Sequence, residues 1–337
     1  MVLRKGVAVL KAIAKARRVD AFIPLSVTMS ITGQCNYRCA YCRLWTQEKE
    51  RMPTQDILRL IDELKGLGMQ RIGFTQDEPL LHDEIGRIID FCRERDLFVT
   101  LGTNGSLVEK KIRELKNLGV LILSLDGPPD VHDRHRVTGA HAHVLKAIES
   151  AQSQGIEVWT TTVLTRYNVG CVDYILDSAD RLHFKAGFQL LYHAPPISGD
   201  TQALLPSAQA YRSALKRIAE GKREGRPVIN SYALLQYLSE WPDYSQPFSG
   251  EGLEQKRRLR CWAGRLFIHI ESNGDLFPCS QLVGRPSNWM EKGLREAGRN
   301  ASRSTCRYCC LGADYAEYNL LFSLHPEAIW NVRKTNR

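Results

Sequence analysis

No uninterrupted apolar run in these 337 residues approaches the roughly 20 needed to span a bilayer, and the N-terminus lacks the continuous apolar core and small-residue cleavage site of a secretory signal. A cytoplasmic protein is therefore expected. With no route to an oxidising compartment, ten cysteines read as working thiols rather than five disulfides. Aromatics are scarce at 8%, and no nucleic-acid module is recognisable. Nucleic acid is accordingly not an expected partner despite the net charge of +9, and the basic runs "KARR", "KREGR" and "KRRLR" read as solvated helix faces. One local shortage matters more: "GQCNYRCAYC" sets Cys35, Cys39 and Cys42 at C-x3-C-x2-C, with no fourth cysteine or histidine in the loop to complete a zinc site.

Around that loop the chain is ordinary. Hydrophobic residues at 43% and charged residues at 25% suit a large core and a soluble fold. Apolar or β-branched runs predict strands at 26–32, 70–75, 97–103, 120–125, 156–165 and 187–192. Helical stripes lie between them, as in "PTQDILRLIDELKGLG", where Ile57, Leu60, Ile61 and Leu64 recur on one side. Strand-then-helix repeats imply parallel strands with right-handed crossovers, and six units rather than eight predict a partial TIM-like barrel, a (β/α)6 α/β fold.

In such a fold the chemistry sits on loops after the C-terminal ends of the strands. "GQCNYRCAYC" follows the first strand, "QDEPL" the second, "TNGS" the third, "LDGPPDVHD" the fourth and "HAPP" the sixth, so the unusual polar residues collect on one face. Three cysteines can hold three irons of a [4Fe–4S] cube and leave the fourth iron open to a ligand. His132, His135, His141 and His143 border the same face; they read as a solvated loop before a helix rather than as a metal site. Cys92 and Cys171 stand alone and read as ordinary buried helix residues.

The triad, with Tyr41 just before its last cysteine, resembles the signature of the radical S-adenosylmethionine (radical SAM) superfamily, and later segments match in order over about residues 25–195. The resemblance implies that Cys35, Cys39 and Cys42 ligate the cluster. Its open iron would bind the amino and carboxylate groups of S-adenosylmethionine, with Tyr41 near the adenine. It further implies that Glu78 holds the methionine ammonium, and that Thr103, Asn104, Ser124 and Asp126 contact ribose or the methionine carboxylate. This chain departs from the family's Gly-Gly-Glu-Pro: Gln76 and Asp77 replace both glycines. The replacement either narrows the methionine pocket or puts the Asp77 carboxylate beside the ammonium. The implied chemistry is one-electron reductive cleavage of S-adenosylmethionine to a 5′-deoxyadenosyl radical, which takes hydrogen from an unactivated C–H bond. A low-potential electron donor, flavodoxin- or ferredoxin-like, is the implied partner.

Five late cysteines remain. Cys261 and Cys279 bracket a predicted hairpin, "LFIHI", Asn273-Gly274, "DLFPC", and Cys306, Cys309 and Cys310 follow in "CRYCC". Residue chemistry leaves zinc and iron–sulfur both open here. The pattern C-x12-G-x4-C resembles the start of a twitch or SPASM region, which implies one auxiliary [4Fe–4S] cluster held by Cys261, Cys279, Cys306 and either Cys309 or Cys310. The expected organisation is a basic amphipathic N-terminal helix (1–24), the barrel (25–200), and a helical linker with a small cysteine-rich α+β module (201–337). Residues 1–20 carry an apolar stripe that includes Ile13, which either closes the barrel bottom or touches an anionic membrane as a peripheral contact. Peptide or protein maturation is slightly favoured as the activity over a lipid or small metabolite, although only about 25 residues precede the first strand, leaving little room for an N-terminal peptide-recognition domain. The competing class is a non-catalytic iron–sulfur scaffold or electron carrier.

Overall fold

All six apolar runs form strands: β1 (Ser26–Met29), β2 (Arg71–Phe74), β3 (Phe98–Thr103), β4 (Val120–Ser124), β5 (Glu157–Leu164) and β6 (Lys185–Leu190). The computed structural model describes residues 10–17, 21–46, 50–191, 201–246, 259–281, 285–302 and 311–335. Helix α1 covers residues 10–17. It is followed by α2 (Thr54–Gly66), α3 (Ile85–Glu94), α4 (Val108–Lys111), α5 (Pro129–His135), α6 (Ala140–Ser153) and α7 (Val172–Leu182). Beyond β6 lie α8 (Ala208–Arg223), α9 (Tyr232–Ser239), strands β7 (Phe267–Ile270), β8 (Asp275–Phe277) and β9 (Ser287–Asn288), then α10 (Trp289–Lys292), α11 (Leu294–Ser302), α12 (Ala313–Phe322) and α13 (Pro326–Thr335).

Strands β1 to β6 are parallel neighbours in sequence order, as the strand-then-helix pattern requires. Their outward residues, among them Val27, Met29, Ile72, Phe74, Val99 and Leu101, pack with Ile57, Leu60, Ile61 and Leu64 of α2 and with Ile85, Ile88 and Ile89 of α3 in one core. Each such fully buried aliphatic contributes about 1.5–3 kcal/mol relative to exposure. The inward rows differ. Along β5, Val158, Thr160, Thr162 and Leu164 are buried, whereas Trp159, Thr161 and Val163 are only partly so. The concave side of the sheet is therefore reachable by solvent.

The predicted hairpin forms, with Gly274 at φ 86° in its turn, where a Cβ would meet the Met290 Cε. It also does something the sequence pattern did not indicate. Strand β7 pairs in parallel with β1, Ser26 facing both Arg71 and Phe267, so one nine-stranded sheet runs β6-β5-β4-β3-β2-β1-β7-β8-β9. The physical reason is the free edge of β1, whose backbone groups need partners. Helix α12 spans the concave side: Asp314 accepts from Gln189 Nε2 on β6 at 2.7 Å, and Tyr315 stacks on Phe267 of β7 at 5.4 Å between ring centroids.

At the N-terminal ends of β1 and β7 a second apolar cluster gathers Ile13 and Ala16 of α1 with Leu25, Trp262, Leu266, Phe267, Tyr315 and Phe322. The part of the N-terminal stripe that is described thus meets protein at Ile13, while Leu10 is exposed. Among the described residues, no helix is long and apolar enough to cross a membrane.

Candidate active site

The thiol loop leaves β1 at its C-terminal end and is pinned by every loop that follows β2, β3 and β4. Glu78 N–H donates to the Gln34 carbonyl at 2.8 Å. Asn104 Nδ2 donates to Asn36 Oδ1 at 2.8 Å, and Asn36 Nδ2 to Ser106 Oγ at 2.9 Å. Ala40 N–H donates to the His135 carbonyl at 2.8 Å, and the Tyr37 hydroxyl meets His143 Nδ1 at 2.7 Å. Three of the four histidines are therefore not solvated loop residues: His132, His135 and His141 are buried on α5 and α6, where they brace the site, while His143 is exposed on α6. His132 Nδ1 accepts the Asp126 N–H at 3.0 Å, and burial pushes its pKa down to about 4, so it serves as a neutral acceptor. Of the lone cysteines, Cys92 is buried on α3, whereas Cys171 is partly exposed just before α7.

The sulfurs are supplied with donors. Cys35 Sγ accepts from Tyr37 N–H and Cys42 Sγ from Leu44 N–H, each at 3.4 Å, and an Arg136 Nη1 lies 3.8 Å from Cys39 Sγ. Burial pushes the free thiols up, Cys35 to about 12 and Cys42 to about 11, with Cys39 raised likewise. A bound cation is what would turn them into thiolates.

Strand-end residues expected to touch a ligand prove to be joined to one another. Glu78 is fully buried and accepts from Leu80 N–H at 3.1 Å, the Thr103 hydroxyl at 2.7 Å and Asn104 N–H at 2.9 Å. Burial raises its pKa to about 7 against those three donors. Asp126 takes the Tyr41 hydroxyl at 3.0 Å and Arg136 Nε at 2.7 Å. Burial opposes the Asp126 charge, yet the guanidinium beside it holds the carboxyl below its ordinary pKa. Ser124 ends β4 opposite Thr161, on the solvent-reachable concave side. Asp77, in the position of a glycine, accepts from the Ser30 hydroxyl, and its charge is felt at Cys42. Arg136 was missed by sequence reasoning: it lies in a stretch read for its histidines, and a single arginine ten residues past a strand-end aspartate carries no signal by itself.

The profile of the radical SAM superfamily matches residues 29–179. These residues form a radical SAM domain. Fe-coproporphyrin III synthase of Methanosarcina barkeri is 25% identical over 213 residues, 60% of this chain and 53% of that protein, so the match spans about half of that relative. PqqA peptide cyclase of Granulibacter bethesdensis is 25% identical over 270 residues, covering 76% of this chain and 67% of the relative. The fold is that of SuiB from Streptococcus suis, with a TM-score of 0.67, 16% identity, and coverage of 86% of this chain and 69% of that one. The chain is an enzyme.

A radical SAM domain implies a [4Fe–4S] cluster and S-adenosylmethionine. The donor set fits: three soft sulfur ligands on one loop, each with an N–H or guanidinium near it, and no fourth thiol among its neighbours in sequence. Cys279 belongs to the second apolar cluster and Cys261 packs against it, while Gly264 N–H donates to the Phe267 and Pro278 carbonyls. Cys306, Cys309 and Cys310 lie outside the described residues.

Proposed function

We propose that the radical SAM domain reductively cleaves S-adenosylmethionine and that the resulting 5′-deoxyadenosyl radical abstracts hydrogen from an unactivated C–H bond of the substrate. The observation that carries this reading is the convergence of the thiol loop with Glu78, Thr103, Asn104 and Asp126 at one end of the sheet. Cys35, Cys39 and Cys42 are assigned as cluster ligands. Asp77 is assigned to the methionine ammonium, because Glu78 already has three internal donors and no exposed surface. Thr103 and Asn104 act through Glu78 by fixing the loop that faces the cofactor. Arg136 neutralises Asp126 and keeps Tyr41 in place beside Cys42. Ser124 and Thr161 offer hydroxyls on the concave side, where substrate and the ribose would lie.

A second [4Fe–4S] cluster on Cys261, Cys279, Cys306 and Cys309 or Cys310 belongs to the same reading, within a module beginning near residue 200. It would take up an electron from an oxidised substrate or shape the pocket. For the substrate we retain a peptide or protein, the class named in the PqqA peptide cyclase match. A carboxylate-bearing tetrapyrrole is the second reading. Its support is Arg71, on the concave side, whose guanidinium meets the hydroxyls of Tyr318, Thr100 and Ser26 and lies in the field of the Asp314 carboxylate.

The test is anaerobic reconstitution with dithionite and S-adenosylmethionine, reading 5′-deoxyadenosine. Its formation is expected without substrate at a slow uncoupled rate. Stimulation by a carboxylate-bearing tetrapyrrole and not by candidate peptides would move the assignment to the tetrapyrrole. No 5′-deoxyadenosine from a fully loaded chain sinks the reading.

A further inference from the structure

Gln76 is the first of the two turn residues after β2 and stands at φ 63°, in backbone that favours glycine. A side chain held there against that preference points to a task for it. Its amide spans two parts of the molecule. Nε2 donates to the Ser280 carbonyl at 2.9 Å, and because that carbonyl can only accept, it fixes which end of the amide is nitrogen. Oε1, the other end, is buried and has no donor among the described residues. A buried carbonyl oxygen in that state carries its desolvation cost until a donor reaches it.

Both ends of the amide lie beside cysteines. Asp77, the next residue, accepts from the Ser30 hydroxyl and its charge is felt at Cys42, which sets the turn against the thiol loop. Ser280 follows Cys279 directly. It is held from its other side by Tyr315 of α12, whose hydroxyl accepts the Ser280 N–H at 3.0 Å and donates to Ser280 Oγ. Every polar group of Ser280 is thus engaged: the carbonyl by the turn after β2, the N–H and hydroxyl by the helix that spans the concave side.

We propose that Gln76 is a positioning residue shared by the two cysteine groups: Oε1 accepts an N–H from the ammonium of S-adenosylmethionine while Nε2 holds the Cys279–Ser280 segment, so that cofactor occupancy orders the loop that carries Cys279. The inference rests on reading the thiol loop as the cofactor site, with Asp77 taking another N–H of the same ammonium. A glycine here would supply the backbone shape without the amide. Coupling of this kind is reciprocal: what the Ser280 contact adds to cofactor binding, the cofactor returns to the Cys279 loop.

The experiment uses the full chain with its iron reconstituted anaerobically. Amide hydrogen exchange of residues 275–281 is read with and without S-adenosylmethionine, with α13 as the reference segment, and affinity is measured by calorimetry. In the parent the cofactor is expected to slow exchange of residues 275–281 about fivefold or more and to leave α13 unchanged. Gln76→Gly suits the left-handed turn and removes both contacts; it is expected to abolish the cofactor-dependent slowing and to weaken affinity about fivefold. Gln76→Glu separates the two ends. Its carboxylate accepts from an ammonium but has no N–H for the Ser280 carbonyl, so affinity is expected to hold while the slowing is lost. A parent whose exchange at 275–281 is indifferent to S-adenosylmethionine overturns the proposal, as does a Gln76→Glu chain that keeps the slowing. So does a Gln76→Gly chain that exchanges faster with and without cofactor alike yet keeps the parent's slowing, because the amide is then only structural. Failure of the radical SAM reading would appear separately, as missing iron or as no S-adenosylmethionine binding by the parent, and the proposal falls with it.

Discussion

Gln76 and Asp77 stand at φ 63° and 48°, left-handed backbone in which L side chains cost of order 1 kcal/mol each. The turn after β2 keeps the shape glycine would give it and carries two side chains as well. Gln76 Nε2 uses the opportunity to reach the Ser280 carbonyl at 2.9 Å, tying the turn to the end of the β7–β8 hairpin. Asp77 puts a carboxylate beside Ser30 and Cys42. Asp77→Asn is expected to weaken S-adenosylmethionine binding about tenfold in a calorimetric titration of the loaded chain, with iron content and the hydroxyl contact to Ser30 retained; equal affinity would remove Asp77 from the site. Arg136 invites a different measurement. Its side chain is 7% exposed and its partner Asp126 fully buried, so Arg136→Met strands a buried carboxylate and is expected to cost about 3 kcal/mol in urea unfolding of the reduced chain. Adding Asp126→Asn should recover part of that loss.

At the scale of elements, α12 joins two parts of the molecule through one carboxylate. Glu317 accepts from the hydroxyl and N–H of Ser231, the N-cap of α9, at 2.9 and 3.2 Å. Burial raises its pKa to about 7. A carboxyl raised above its unfolded value is protonated more in the folded chain between about pH 4.5 and 7, so stability falls as pH rises through that window. Glu317→Gln removes the penalty while keeping an acceptor. It is expected to gain about 2 kcal/mol over the parent at pH 8, allowing for the partial exposure of Glu317, and little or nothing at pH 4.5, read as Tm differences at the two pH values. An equal gain at both would mean the effect is packing and not charge.

At the scale of the whole molecule, the described part of the N-terminal stripe packs on protein. Ile13, 3% exposed against Trp262 and Phe322, packs residues 10–17 onto the lower end of the sheet. Ile13→Asp buries an unpaired charge and is expected to lower stability by about 3 kcal/mol or more. The intact chain is expected to stay with the soluble fraction in flotation with anionic liposomes; co-flotation that survives Ile13→Asp would return the helix to the membrane. The two cysteine groups also make a metal prediction. If both cysteine groups hold cubanes, the loaded chain carries about eight irons, and replacing Cys35, Cys39 and Cys42 by Ala leaves about four. Four irons together with zinc would refute the second cluster.

The periodicities of the chain were sufficient for six parallel strands, their helices and the face on which the polar loops collect, because period 2 and period 3.6 are local properties of residues such as Ile57, Leu60, Ile61 and Leu64. The thiol loop was legible for the same reason: its three cysteines lie within ten residues. Pairing across long separations was not. That β7 completes the edge of β1 some 240 residues away, that Glu78 spends its oxygens on Thr103 and Asn104, and that Arg136 rather than any histidine stands against Cys39 depend on which loops the folded sheet brings together. A buried polar group takes whatever partner its tertiary neighbours supply, and no spacing along the chain encodes that choice.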